Sequence, residues 1–134
     1  MKSPKSKSKV LLVSLVWLLA QTSFVSFAGE LHKQRMGVLA GAGGHQAEGS
    51  VHLQGHRLIL SNIDVDKVPD GRVYLTTGAD YKSGVELGRL THFSGTVEYS
   101  IPAAINPDKY NSVLIWCKKF SVEIGHADLK AAVK

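Results

Sequence analysis

Residues 113–129 read VLIWCKKFSVEIGHADL, and the parsing of that run decides the fold. Val113, Leu114, Ile115 and Trp116 are apolar in succession, the signature of a strand covered on both faces. Beyond Cys117, the residues Phe120, Val122 and Ile124 alternate with Lys119, Ser121 and Glu123, which suits a strand with one face on a core. Cys117 stands where the pattern changes. In a straight chain it shares a face with Val113 and Ile115, while Trp116 shares one with Leu114 and Phe120; a bulge near Lys118 would reverse that assignment.

Outward from this run, further short strand patterns lie at 50–53, 57–61, 72–77, 85–90 and 96–101, with the run itself supplying strands at 110–117 and 119–124. Breakers separate them: Gln54-Gly55, Pro69-Asp70-Gly71, Gly78-Ala79-Asp80 and Asn106-Pro107-Asp108. No crossover helix fits between them, so the fold class is all-β, an antiparallel β-sandwich or barrel-like domain of about seven or more short strands. Val51 and Leu53, Leu58 and Leu60, Val73 and Leu75, Val97, Tyr99 and Ile101, and Phe120, Val122 and Ile124 form period-2 sets that predict one core. The 110–117 strand should be central, or present one face to a ligand or partner. The tail, 126–134, has helix-favouring residues but too little length to stand alone, and Leu129 is expected to anchor it.

The N-terminus carries four lysines in nine residues, an apolar run from Val10 to about Phe27, and Ser26-Phe27-Ala28, a small-x-small site. This predicts a signal peptide at 1–28 and a secreted or periplasmic protein with no membrane association after cleavage. The alternative, an uncleaved anchor, is opposed by Gln21, Thr22, Ser23 and Ser26. Removal takes four of the sixteen Lys and Arg residues and leaves twelve against eleven Asp and Glu, a net charge of +1. The basic pI thus belongs to the leader, and no nucleic-acid partner is expected. Residues 29–44 read as a flexible lead ending in a glycine turn, and 45–134 as the β domain. Ala40-Gly41-Ala42-Gly43-Gly44 lacks the spacing and the lysine of a phosphate loop.

One cysteine in an exported chain excludes an internal disulfide and covalent c-type haem. The plain reading of Cys117 is a small buried hydrophobe. The sharper readings are a redox thiol, an intermolecular disulfide, or an axial ligand to non-covalent haem, with His45, His92 or His126 as companion ligands and Trp116 as a stacking aromatic. Lys118 and Lys119 are cations placed beside the sulfur in sequence. His52 and His56, four apart but split by Gly55, belong to a hairpin rather than a helical metal face, and no metal site is expected. No nucleophile, base and oxyanion-hole set can be assembled, so a redox or electron-transfer protein is favoured over a turnover enzyme.

GHQAEGSVHL (44–53), LSNIDVDKVPDGRVYLTTG (60–78), LGRLTHFSGTVEYSIP (87–102) and YNSVLIWCKKFSVEIGHADL (110–129) together resemble the electron-transfer DM-thirteen domain family. The resemblance runs from about His45 to Leu129 and is most specific over 112–122. It implies a β-rich extracytoplasmic domain whose characteristic cysteine, here Cys117, works in redox chemistry as a bare thiol or by holding a group such as haem. In animal extracellular proteins the domain accompanies DOMON domains, and this chain carries none. Val68-Pro69 departs from the family's more usual glycine before the proline, a difference local to one turn. The rival reading is a non-catalytic extracytoplasmic binding module, its two-sided 110–117 strand facing a partner and its cysteine only packing.

Overall fold

The structure, a computed structural model, describes residues 33–132, so the expected signal peptide at 1–28 lies outside the described residues. The described residues form nine strands: β1 (Arg35–Gly41), β2 (Ala47–Gln54), β3 (Arg57–Val65), β4 (Gly71–Thr77), β5 (Asp80–Arg89), β6 (Ser94–Ser100), β7 (Ser112–Cys117), β8 (Val122–Asp128) and β9 (Lys130–Ala131). They make one antiparallel sheet in the order β5-β4-β7-β8-β1-β2-β3-β6, with β9 paired to β1. A 3-10 turn at Pro107–Lys109, capped by Asn106, interrupts the β6–β7 connection. Among the described residues no helix is long and apolar enough to cross a membrane.

The sheet is curled into a half-barrel around most of the expected period-2 sets. Val51 and Leu53, Leu58 and Leu60, Val73 and Leu75, and Val113 and Ile115 all point inward and are almost fully buried. At about 1.5–3 kcal/mol for each large apolar side chain removed from water, this shared interior is what closes the sheet. The two edges approach each other, where the Tyr99 hydroxyl on β6 donates to the Arg89 carbonyl on β5 at 2.8 Å. Burial pushes the Tyr99 phenol up to about 12. Leu129 is buried as an anchor, 8 % exposed.

Two expectations need correction. The lead is not irregular over its second part: Arg35–Gly41 is a strand inserted between β8 and β2. Its periodicity is masked by small residues, and these are needed because neighbouring backbone comes close; a Cβ on Gly37 would lie 2.5 Å from the Asp128 carbonyl oxygen. The tail, helix-favouring in composition but too short for a helix by itself, is taken up in strands, since β8 runs on to Asp128 and β9 follows. Phe120 and Val122 are 60 % and 37 % exposed rather than core residues, because Lys118–Ser121 turns the chain and β8 starts only at Val122.

A bulge near Lys118 is the alternative to a straight chain; the irregularity lies further on, in β8. Ile115 pairs with Gly125 but Trp116 pairs with Glu123, which leaves Ile124 as the extra residue, buried in the core. The parity of β8 is reversed across it. Glu123 and His126, three apart, therefore share the outer face with Asp128, while Ile124 and Ala127 face inward.

Candidate functional site

Cys117 ends β7, paired with Gly71 of β4 and Val122 of β8. It shares the inner face with Val113 and Ile115 and is 0 % exposed within the core cluster. The surroundings of its end of the core are marked by Gly71, where a Cβ would sit 3.2 Å from Val68 Cγ2, 3.4 Å from Leu90 Cβ and 3.7 Å from Phe93 Cε1. Three backbone bonds tie this cap down: Val65 N–H to the Phe93 carbonyl, Leu90 N–H to that of Gly71, and Lys118 N–H to that of Asp70, at 2.8–2.9 Å.

Four connections crowd this end of the half-barrel: β1–β2, β3–β4, β5–β6 and β7–β8. Ala42 N–H donates to the Ile124 carbonyl and Asp66 N–H to that of Gln46, which joins the first of them to its neighbours. Two of the expected haem-ligand histidines belong to these loops. Half-buried His45 has its Nδ1 3.6 Å from an Asp66 carboxylate oxygen, and exposed His92, next to Phe93, has Nδ1 3.1 Å from Thr91 Oγ1. His126 is on the outer face, opposite Leu114, with Nδ1 bonded to the Glu123 carboxylate. It is thus on the far side of the sheet from Cys117. The sulfur is packed on all sides, so this arrangement does not fit an axial bond from Cys117 to a porphyrin. Neither lysine of the turn is directed to the sulfur: Lys118 Nζ is 3.8 Å from Glu86 Oε1 and Lys119 Nζ lies 5.7 Å from the Phe120 ring centre. Among the described residues no cluster of three or more His, Cys, Asp or Glu could hold a metal ion.

Trp116, one residue earlier, faces outward between Arg72 of β4 and Glu123 of β8. It stacks on Tyr81, ring centres 4.2 Å apart and 23° from parallel. Tyr81 in turn meets Tyr74 edge-on at 6.4 Å. These aromatics converge because β5 is irregular. Thr77 pairs with Asp80 and Leu75 with Val85, so β5 carries three surplus residues there. Ser83 Oγ pins the excursion by accepting from Thr77 N–H at 3.0 Å and donating to the Asp80 carbonyl at 2.7 Å. Gly84 is required where the chain crosses β4, since a Cβ would come 2.3 Å from the Leu75 carbonyl oxygen.

A second register shift, between Val73 and Tyr74, sets Glu86 opposite Tyr74. The Tyr74 hydroxyl donates to Glu86 Oε1 at 2.9 Å, and Arg72 Nη1 lies 3.5 Å from Glu86 Oε2. Burial, and then this bond to a carboxylate, pushes the Tyr74 phenol up to about 12. Arg72 also donates through Nε to Asp70 at 2.7 Å, which holds the Asp70 carboxyl below the usual range. Sequence reading singled out Trp116 but not Tyr74, Tyr81, Arg72 or Glu86. Their convergence depends on two register shifts, whose one visible sign is the Ser83-Gly84 break ahead of an otherwise regular strand.

No curated protein and no solved structure matches the chain. A family model described as "Electron transfer DM13" matches residues 40–129, the stretch that runs from the end of β1 through the caps, the aromatic group and Cys117 to the last core residue of the tail. By that match the chain belongs to the electron transfer DM13 family.

Proposed function

We propose that this chain is an exported electron-transfer domain whose redox centre is the Cys117 sulfur. The observation that supports it most directly is the position of the chain's one cysteine in a member of an electron-transfer family: at the end of a central strand, under a cap of four loops. With no second thiol on the chain, the two-electron cycle is thiol–disulfide exchange with a partner protein's disulfide: the Cys117 thiolate attacks one sulfur, an intermolecular disulfide forms and one partner thiol is released, and attack by a second thiolate on that intermolecular disulfide frees Cys117 again. The buried sulfur becomes available when the loops over it open locally, a motion of connections rather than of paired strands.

A second reading, a binding module with a structural cysteine, is favoured by the complete burial of Cys117. Thiol labelling under native conditions separates the two. In the electron-transfer reading Cys117 reacts with a small thiol reagent at a rate set by loop opening, far faster than global unfolding, and the wild type titrates through a mixed disulfide in a glutathione redox buffer, a titration that a Cys117→Ala variant loses. Labelling that occurs only on global unfolding, with an unchanged titration in Cys117→Ala, overturns it and leaves the binding module.

A further inference from the structure

The aromatic group on the outer face has no part in the chemistry of a bare thiol. Covering Leu114 with one aromatic would need no three-residue excursion in β5, no carboxylate at the phenol and no pair of cations at the carboxylate. The chain nevertheless places Trp116, Tyr81 and Tyr74 in unbroken ring contact, 4.2 Å and then 6.4 Å between centres. The path runs from half-buried Trp116 and Tyr81 to Tyr74, which is 8 % exposed. At its inner end the phenol donates to a carboxylate flanked by Arg72 at 3.5 Å and Lys118 at 3.8 Å.

Two features of phenol and indole chemistry make this arrangement functional. Both side chains give up a single electron to a strong oxidant, and electrons move readily between rings in contact. A phenol that loses an electron becomes a strong acid, so its oxidation is assisted by a base already hydrogen-bonded to the O–H, which takes the proton without solvent rearrangement. Arg72 Nη1 at 3.5 Å and Lys118 Nζ at 3.8 Å hold the Glu86 carboxylate in place against the phenol whose proton it would take.

We infer that Trp116, Tyr81 and Tyr74 form a one-electron relay on the outer face, with Tyr74 as its proton-coupled terminus and Glu86 as the proton acceptor. The inference rests on the electron-transfer reading but not on the sulfur. The external reactant is a one-electron oxidant, such as a high-potential metal centre of another protein. It takes one electron at the Trp116–Tyr81 stack and is reduced by one. The electron hole passes to Tyr74, whose O–H bond breaks; the proton goes to Glu86 Oε1, and a neutral tyrosyl radical remains. A one-electron reductant then restores the phenol, the proton returning from Glu86. Trp116 and Tyr81 conduct, Tyr74 holds the radical, and Arg72 and Lys118 are positioning residues.

The test is flash oxidation of the exported chain with photogenerated tris(bipyridine)ruthenium(III), followed by transient absorption and by electron paramagnetic resonance of frozen samples. The wild type should give a neutral tyrosyl radical that is absent in Tyr74→Phe. Glu86→Gln, which keeps the shape on a partly exposed side chain, should form it roughly tenfold or more slowly at neutral pH. That variant should also lose the pH-independent rate and gain a dependence on added buffer base, which a merely structural role would not produce. An undiminished tyrosyl signal in Tyr74→Phe, or an unchanged rate in Glu86→Gln, overturns the relay. The same flash experiment on Cys117→Ala separates it from the thiol reading: an intact radical supports the relay whatever the redox titration of the sulfur shows, and a lost radical overturns it.

Discussion

The two faces of β7 are both buried, but by different means. Inward, Val113, Ile115 and Cys117 meet residues from β2, β3, β4 and β8 across the curl of the sheet. Outward, Leu114 is as fully buried as Ile115, yet among the described residues no second layer of the sheet lies on it; its strand neighbours are Tyr74 and His126 on the flanking strands and Trp116 further along β7. The inner face is thus enclosed by long-range closure of a half-barrel, and the outer by irregularities in β5 and β8 that re-aim a few side chains. A strand that is apolar on both sides is here a sign of one core plus one aromatic cluster.

The contrast also explains what the sequence revealed. Inner-face residues follow period 2, so Val51, Leu53, Leu58, Leu60, Val73 and Leu75 follow from alternation alone, whereas the direction of Cys117 stays open to a bulge near Lys118. The outer cluster does not, because the surplus residues of β5 and the extra Ile124 of β8 break the alternation that reading depends on. β1 escaped notice for a third reason: close backbone neighbours demand glycine at Gly37, and glycine erases the hydrophobic signal. Of the expected site, the loops gather His45 and His92 at the end of the sheet that holds Cys117. His126 is on the other face because the bulge is in β8 rather than near Lys118.

The largest effects should come from emptying each face in turn. Ile115→Ala leaves a void walled by the closed sheet and should cost about 4–5 kcal/mol. Leu114→Ala should cost nearer 2–3 kcal/mol, since the covering aromatic side chains can settle into the space. Chemical denaturation of both variants checks this, and equal losses would show that the outer face is as rigidly walled as the inner.

A smaller change sharpens the description of the sulfur's surroundings. Cys117→Ser should destabilise the fold by roughly 1–3 kcal/mol, because the hydroxyl enters an apolar site with no partner. Cys117→Ala should lose only about 1 kcal/mol. A serine variant as stable as the wild type would place a polar group or water beside the sulfur and contradict the packing seen around Val68, Leu90 and Phe93.

The smallest expected effect is confined to alkaline pH and compares Tyr74 on the outer face with Tyr99 at the sheet edges. Both phenols rise from 10.0 to about 12 in the folded protein, chiefly by burial. A raised folded value means that the unfolded chain releases the proton first, so unfolding gains from rising pH. The stabilisation is complete below pH 10 and is lost as pH rises towards about 12. Tyr74→Phe removes one of the two contributions. The steepness of the stability loss across that window should therefore fall by about half, with Tyr99 supplying the rest. Stability of wild type and variant measured at intervals through the window gives the two slopes. Identical slopes would mean that Tyr74 ionises in the folded protein as it does in the unfolded chain, which neither its burial nor its bond to Glu86 permits.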